Sequence, residues 1–153
     1  TLALVIQPVS VPDYLKRSNI VLRKGAGELT FAEFDRWAEP VENGIARVIA
    51  ENLTALLNSR FIRTSDQPGG REGELKLNLT VVDFTTTATG EAVFTAESKL
   101  MAADGQGILA AARTRLTTPA SGDAVDMAAS VAALSKTLEQ FSGQLAAQLR
   151  QFR

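Results

Sequence analysis

Three consecutive stretches, Glu74 to Thr85, Glu91 to Ala102 and Gly107 to Thr118, carry strand composition and are joined by short turn-like links. In the first, Leu75, Leu77, Leu79 and Val81 alternate with Lys76, Asn78 and Thr80, which gives one buried and one wetter face. The links Thr87-Ala88-Thr89-Gly90 and Ala103-Asp104-Gly105-Gln106 are too short for crossovers, so an antiparallel meander is expected. Ile108 to Ala112 also admits a helical reading, but its place between turn signals favours a strand. A chain with this meander must find something to cover the sheet's apolar face.

Leu2 to Val11 reads as an opening strand with Leu2, Leu4 and Ile6 on one face and Ala3 and Val5 on the other. Both faces are apolar, as in a strand covered on both sides. Pro8 and Pro12 lack a donor and mark where its pairing must stop. Ile20 to Arg23 and Glu28 to Phe31 flank the Gly-bearing link Lys24-Gly25-Ala26-Gly27, which predicts a hairpin. Pro40 then opens a helix to about Asn58. Val41, Ile45, Val48, Ile49, Leu53, Leu56 and Leu57 recur at helical spacing, and Glu42 suits the positive end of the helix dipole. Arg60 to Ser65 reads as another strand, followed by a polar loop over residues 66–73.

A long helix is expected from about Asp123, a plausible N-cap, to Gln151. Met127, Val131, Leu134, Leu138, Phe141 and Leu145 follow in steps of four and three. This heptad-like seam suits packing on the domain's own sheet, or in part against a second chain. Gln148 interrupts it and Gly143 weakens the helix interior, which favours own-core packing. Residues 1–153 therefore read as a single α/β domain. Its mixed sheet holds a parallel crossover beside the antiparallel meander, with two main helices, the second long and C-terminal.

The chain lacks His and Cys. The usual general base, thiolate nucleophiles, disulfides and the commonest metal ligands are therefore excluded. A net charge of −1 argues against a nucleic-acid partner. Nothing resembles an apolar run of about 20 residues, the length that spans a bilayer as a helix. The start at Thr1 rather than Met is expected of a processed or trimmed form, with any signal peptide or anchor upstream.

Catalytic constellations are hard to assemble. Glu33, Asp35 and Asp13 could be imagined as paired carboxylates, but surface charge near a helix start is the simpler reading. Gly69-Gly70 lacks a following Gly-Lys-Ser/Thr, and no serine sits in a Gly-x-Ser-x-Gly elbow. No catalytic residue, cofactor or metal ligand is expected.

Residues 8–40 hold three of the five prolines, the sole Tyr (Tyr14) and the sole Trp (Trp37). Pro12, Asp13, Tyr14 and Leu15 follow a strand and precede basic Lys16-Arg17, so they are expected to form an exposed loop that contacts a partner. Arg36 and Trp37 are expected to lock the first helix onto the sheet, with Trp37 in the core.

Val9-Ser10-Val11-Pro12-Asp13-Tyr14-Leu15, Ile20-Val21-Leu22-Arg23 and Phe34-Asp35-Arg36-Trp37-Ala38-Glu39-Pro40 together resemble the signature of the ABC-type transport auxiliary lipoproteins, the PqiC-like proteins of Gram-negative envelopes. Ala50-Glu51-Asn52-Leu53 and Leu56-Leu57 fit the first helix of that family as well. The resemblance covers nearly the whole chain and is specific over about residues 4–57. It implies a non-catalytic periplasmic subunit tethered at the outer membrane by a lipid on an N-terminal Cys. That subunit would act as scaffold or docking component beside MCE-type (mammalian cell entry domain) proteins and an ABC transporter that move lipid between membranes. The lipobox Cys and its linker are not in this sequence. A lipid-binding module with an acyl chain in an apolar cavity is the alternative. The last-helix seam and a sheet edge leave homo-oligomerisation open.

Overall fold

A computed structural model describes residues 2–16, 19–23, 29–36, 40–86, 91–119 and 127–152, with side chains for 2–15, 40–86, 91–119 and 132–152. Its spine is β5 (Leu75–Thr86), the first strand of the expected meander. Along one edge β5 pairs antiparallel with β6 (Ala92–Met101), from Lys76 opposite Met101 to Thr86 opposite Ala92. Beyond β6 lies β7 (Ile108–Thr118), also antiparallel. Ile108 to Ala112 is strand, and the meander is as the alternation predicts.

The other edge of β5 is shared between two short strands. β1 (Leu4–Ile6) pairs parallel with Leu75 to Leu77, while β2 (Asn19–Arg23) meets β5 where Leu22 faces Thr86. β3 (Leu29–Arg36) pairs antiparallel outside β2. β4 (Ile62–Thr64) pairs parallel outside β1. The described residues thus form one mixed seven-stranded sheet.

β1 is shorter than the expected Leu2 to Val11 because Pro8 interrupts it. The chain does not leave β5 altogether: Gln7 N–H donates to the Leu77 carbonyl at 2.9 Å, and Ser10 N–H donates to the Leu79 carbonyl at 3.1 Å. Pro8 sits between these donors, where no N–H is required. Leu4, Val5 and Ile6 are all buried, as a strand covered on both faces demands.

Helix α1 (Val41–Leu57) follows Pro40, whose carbonyl accepts the Asn43 and Gly44 N–H groups at 3.0 Å each. Asn58 ends it in the left-handed conformation, and Ser59 N–H reaches back to the Thr54 carbonyl at 3.3 Å. Helix α2 (Met127–Leu149) continues into a 3₁₀ turn over Arg150–Phe152. Its expected N-cap, Asp123, lies outside the described residues.

α2 lies over β5, β6 and β7, α1 packs on β4, and the helices pack on each other. The seam residues Leu134, Leu138, Phe141 and Leu145 are buried in the domain's own core. Phe141 meets Phe94 with ring centroids 4.9 Å apart, and Phe94 meets Phe84 edge-on at 5.6 Å. Asn52 donates to Ser142 Oγ at 3.1 Å, and that hydroxyl donates on to the Leu138 carbonyl. This chain of hydrogen bonds satisfies polar groups within an otherwise apolar helix–helix contact.

The face of the sheet away from the helices carries Asn78, Thr80, Glu97, Lys99, Arg113 and Arg115, all exposed. A register shift between Val81 and Asp83 leaves Val82 as an extra residue of β5. Leu77, Leu79 and Val81 point inward at every second position, and the extra residue lets Phe84 rejoin them in the core.

Candidate partner-docking site

The segment between β1 and β2 is shaped by what it crosses. After Ser10 bridges to Thr80, Leu15 N–H donates to the Pro12 carbonyl at 3.0 Å and starts a 3₁₀ helix over Asp13–Lys16. Pro12, with its fixed φ, suits the residue just before such a turn. Asp13 follows in its first turn and faces solvent.

The four expected contact residues then divide. Leu15 is completely buried and belongs to the main core cluster. The expectation that it faces a partner is therefore corrected: a one-turn helix puts one side outward and drives the opposite side chain into the sheet–helix layer. Tyr14 is half-buried against that cluster, and its hydroxyl donates to Asp83 Oδ1 at 2.6 Å. Thr85 Oγ1 donates to the same oxygen at 3.1 Å. Pro12 is partly exposed and Asp13 exposed. These two, with the outer part of Tyr14, make up the accessible surface of the turn.

Asp83 was not among the residues expected to matter. The signal for it was present in Val82-Asp83, where an apolar residue and an acid break the alternation of β5. The β-bulge at that point re-aims the carboxylate toward Tyr14. Sequence spacing could suggest the bulge but not the tyrosine that meets it.

Arg36 is the last residue of β3 and pairs with Asn19 across the hairpin. Phe34, Asp35 and Arg36 are thus strand, extending the expected Glu28 to Phe31. The Arg36 side chain and the whole of Trp37 lie outside the described residues, as do the side chains of Glu33 and Asp35.

Other polar groupings have structural explanations. Arg63 grips Glu74 through two hydrogen bonds of 2.9 Å and the Gln67 carbonyl at 2.7 Å, clamping the loop between β4 and β5. The hydrogen bond to Glu74 raises the Arg63 pKa above its already high ordinary value. At Gly70 a Cβ would stand 2.9 Å from Arg63 Nη2, so Gly70 makes room for that clamp, while Gly69 takes a positive φ of 106°. Among the described residues no group of three or more Asp or Glu is placed to hold a metal ion. No described helix is long and apolar enough to cross a membrane.

A family profile described as the ABC-type transport auxiliary lipoprotein component matches residues 1–146. This chain belongs to that family. Membership in the auxiliary lipoprotein family agrees with the resemblance carried by residues 9–15, 20–23 and 34–40, and extends it over the meander and α2. A crystal structure of an uncharacterized protein is 25% identical with a TM-score of 0.84, covering 96% of this chain and 92% of the other. A Xanthomonas campestris protein is 21% identical with a TM-score of 0.77, over 97% of this chain and 83% of that one. A hypothetical protein from Chlamydia trachomatis shares the fold at 8% identity and a TM-score of 0.56, over 97% and 96% of the two chains. A comparison with curated proteins returns no match. Its family places the chain among the auxiliary lipoprotein components of ABC-type transport.

Proposed function

We propose that this domain is a non-catalytic periplasmic scaffold, tethered by an N-terminal lipid to the outer membrane. There it docks MCE-type and ABC transporter components of an intermembrane lipid transport system. The observation that carries this reading is the family match over residues 1–146. The absence of His and Cys supports the non-catalytic part. Pro12 and Asp13, presented on a turn anchored by Leu15 and Tyr14, are the proposed contact. A small exposed patch on a rigid base loses little conformational freedom on binding.

The alternative, an acyl-chain carrier, needs an enclosed apolar cavity of about 300 Å³ or more. Between α2 and the sheet, the space lined by Leu77, Leu100, Ala110, Leu145 and Leu149 is only about 10 Å³. Among the described residues the larger spaces are open clefts, such as the one of about 470 Å³ between Leu56 on α1 and Gly143 on α2. The family match over residues 1–146 supports docking, and the described part of the core holds no space for an acyl chain.

Reconstitution tests it. The lipidated full-length protein, mixed with the purified MCE-domain component of the same envelope, is expected to co-elute with it and to carry no stoichiometric second lipid in native mass spectrometry. Separate elution would remove the docking reading. A bound lipid beyond the anchor would favour the carrier.

A further inference from the structure

The place where the chain enters the sheet has a consequence for how the domain meets a membrane. Leu4 pairs with Leu75, Lys76 with Met101, and Met101 with Ile108. Whatever chain precedes Leu2 therefore joins the domain at the end of the sheet where β6 turns into β7. Three strand spacings put Ile108 roughly 15 Å across the sheet from β1.

That end is apolar at its outer corner. Ile108 is 58% exposed and Leu109 41% exposed. Among the described residues the other exposed large apolar side chains, Leu56 and Val82, stand singly. A register irregularity between Leu100 and Met101 sets Leu109 out of the pairing and places Ile108 opposite Met101. β7 is an edge strand there, with no described strand beyond it.

The charge beside this corner is positive. Lys76 stands next to Met101 in the same cross-strand row, and Lys99 lies two rows further in, opposite Asn78 and Ala111. Neither lysine has an ion pair among the described residues. Two nearby carboxylates are ion-paired, Glu97 with Arg113 at 2.6 Å and Glu74 with Arg63 at 2.9 Å, while Asp104 in the turn between β6 and β7 is exposed and accepts only the Gln106 N–H at 2.9 Å. In the loop, Glu72 follows Arg71, whose guanidinium lies 3.7 Å over the Phe61 ring. Two exposed aliphatic side chains beside two ammonium groups, one level with Ile108 and one set back along the sheet, outweigh the single carboxylate of Asp104 and suit an anionic bilayer surface.

We infer that Ile108 and Leu109 form a membrane-contact tip that sits in an anionic phospholipid surface, with Lys76 and Lys99 at headgroup level. This deepens the proposed lipid-tethered reading and rests on it. Two side chains bind weakly alone, but a tether at the same end of the sheet raises their effective concentration at the bilayer.

Because the chain has no Cys, a single introduced thiol can report on the tip. The domain carrying Leu109→Cys, labelled with an environment-sensitive fluorophore, is tethered through an N-terminal hexahistidine tag to vesicles containing nickel-chelating lipid. The expected result is a blue shift on phosphatidylcholine vesicles with added phosphatidylglycerol, with much less on phosphatidylcholine alone. The same label at Gln140→Cys, exposed on α2, should not shift. Lys76→Gln with Lys99→Gln should lower the inserted-to-free ratio roughly 25-fold. A water-like signal at position 109 on both vesicles, an equal shift at position 140, or an unchanged ratio in the double variant would overturn the inference. The tether is supplied artificially, so failure here leaves the lipoprotein reading intact. Incorporation of labelled palmitate into the full-length precursor decides that reading separately.

Discussion

Tyr14 donates its hydroxyl to Asp83 across 69 residues of sequence, at 2.6 Å. The two residues join the turn after β1 to the bulge in β5, so one of the segments that carry the family resemblance is fixed to the sheet's central strand. The accessible side of that turn, Pro12 and Asp13, is therefore presented from a firm base.

Tyr14→Phe removes the hydroxyl and keeps the ring. Stability should fall by about 1–2 kcal/mol, the range for a hydrogen bond to a charged acceptor that is partly exposed. Urea unfolding with unchanged m-value would register it. No change would mean that Asp83 is satisfied without the tyrosine and that the turn is not held by it.

Leu15→Ala should cost about 2–5 kcal/mol, as for other fully buried leucines. Its effect on partner binding should appear only as a loss of folded protein. A variant of full stability with weakened binding would instead return Leu15 to the docking surface.

Much of the fold was legible because its signals are local. α1 was expected over about 40–58 and spans Val41–Leu57, since its apolar spacing and flanking Pro40 act within a few turns. β5, β6 and β7 came within a residue or two of their expected bounds because short links force neighbouring strands to pair. The turn at Pro12 to Leu15 was harder. Which of its side chains is buried depends on the bulge at Val82-Asp83, and a non-local contact of this kind leaves no periodicity in the turn itself.

Phe141 fills the layer between α2 and β6 and is 1% exposed. Phe141→Ala should destabilise the domain by about 3–5 kcal/mol. Thermal unfolding followed by circular dichroism would show it. A shift within experimental error would mean that α2 is not packed through its seam as described.

Asn58 holds φ 49°, a left-handed conformation that closes α1. Asn58→Ala should cost about 1 kcal/mol, while Asn58→Gly should be neutral or slightly stabilising. Equal stabilities of the alanine and glycine variants, compared by chemical denaturation, would contradict the left-handed cap.

The central claim is that this domain docks a transport partner through the exposed side of a turn rather than performing chemistry. Calorimetric titration with the purified MCE-domain component of the same envelope tests it most directly, comparing the native chain with the Pro12→Ala/Asp13→Ala double variant. The account predicts measurable binding by the native chain and an affinity at least tenfold lower in the variant, at a temperature where both chains are fully folded. Equal affinities, or no binding by the native chain, would contradict it.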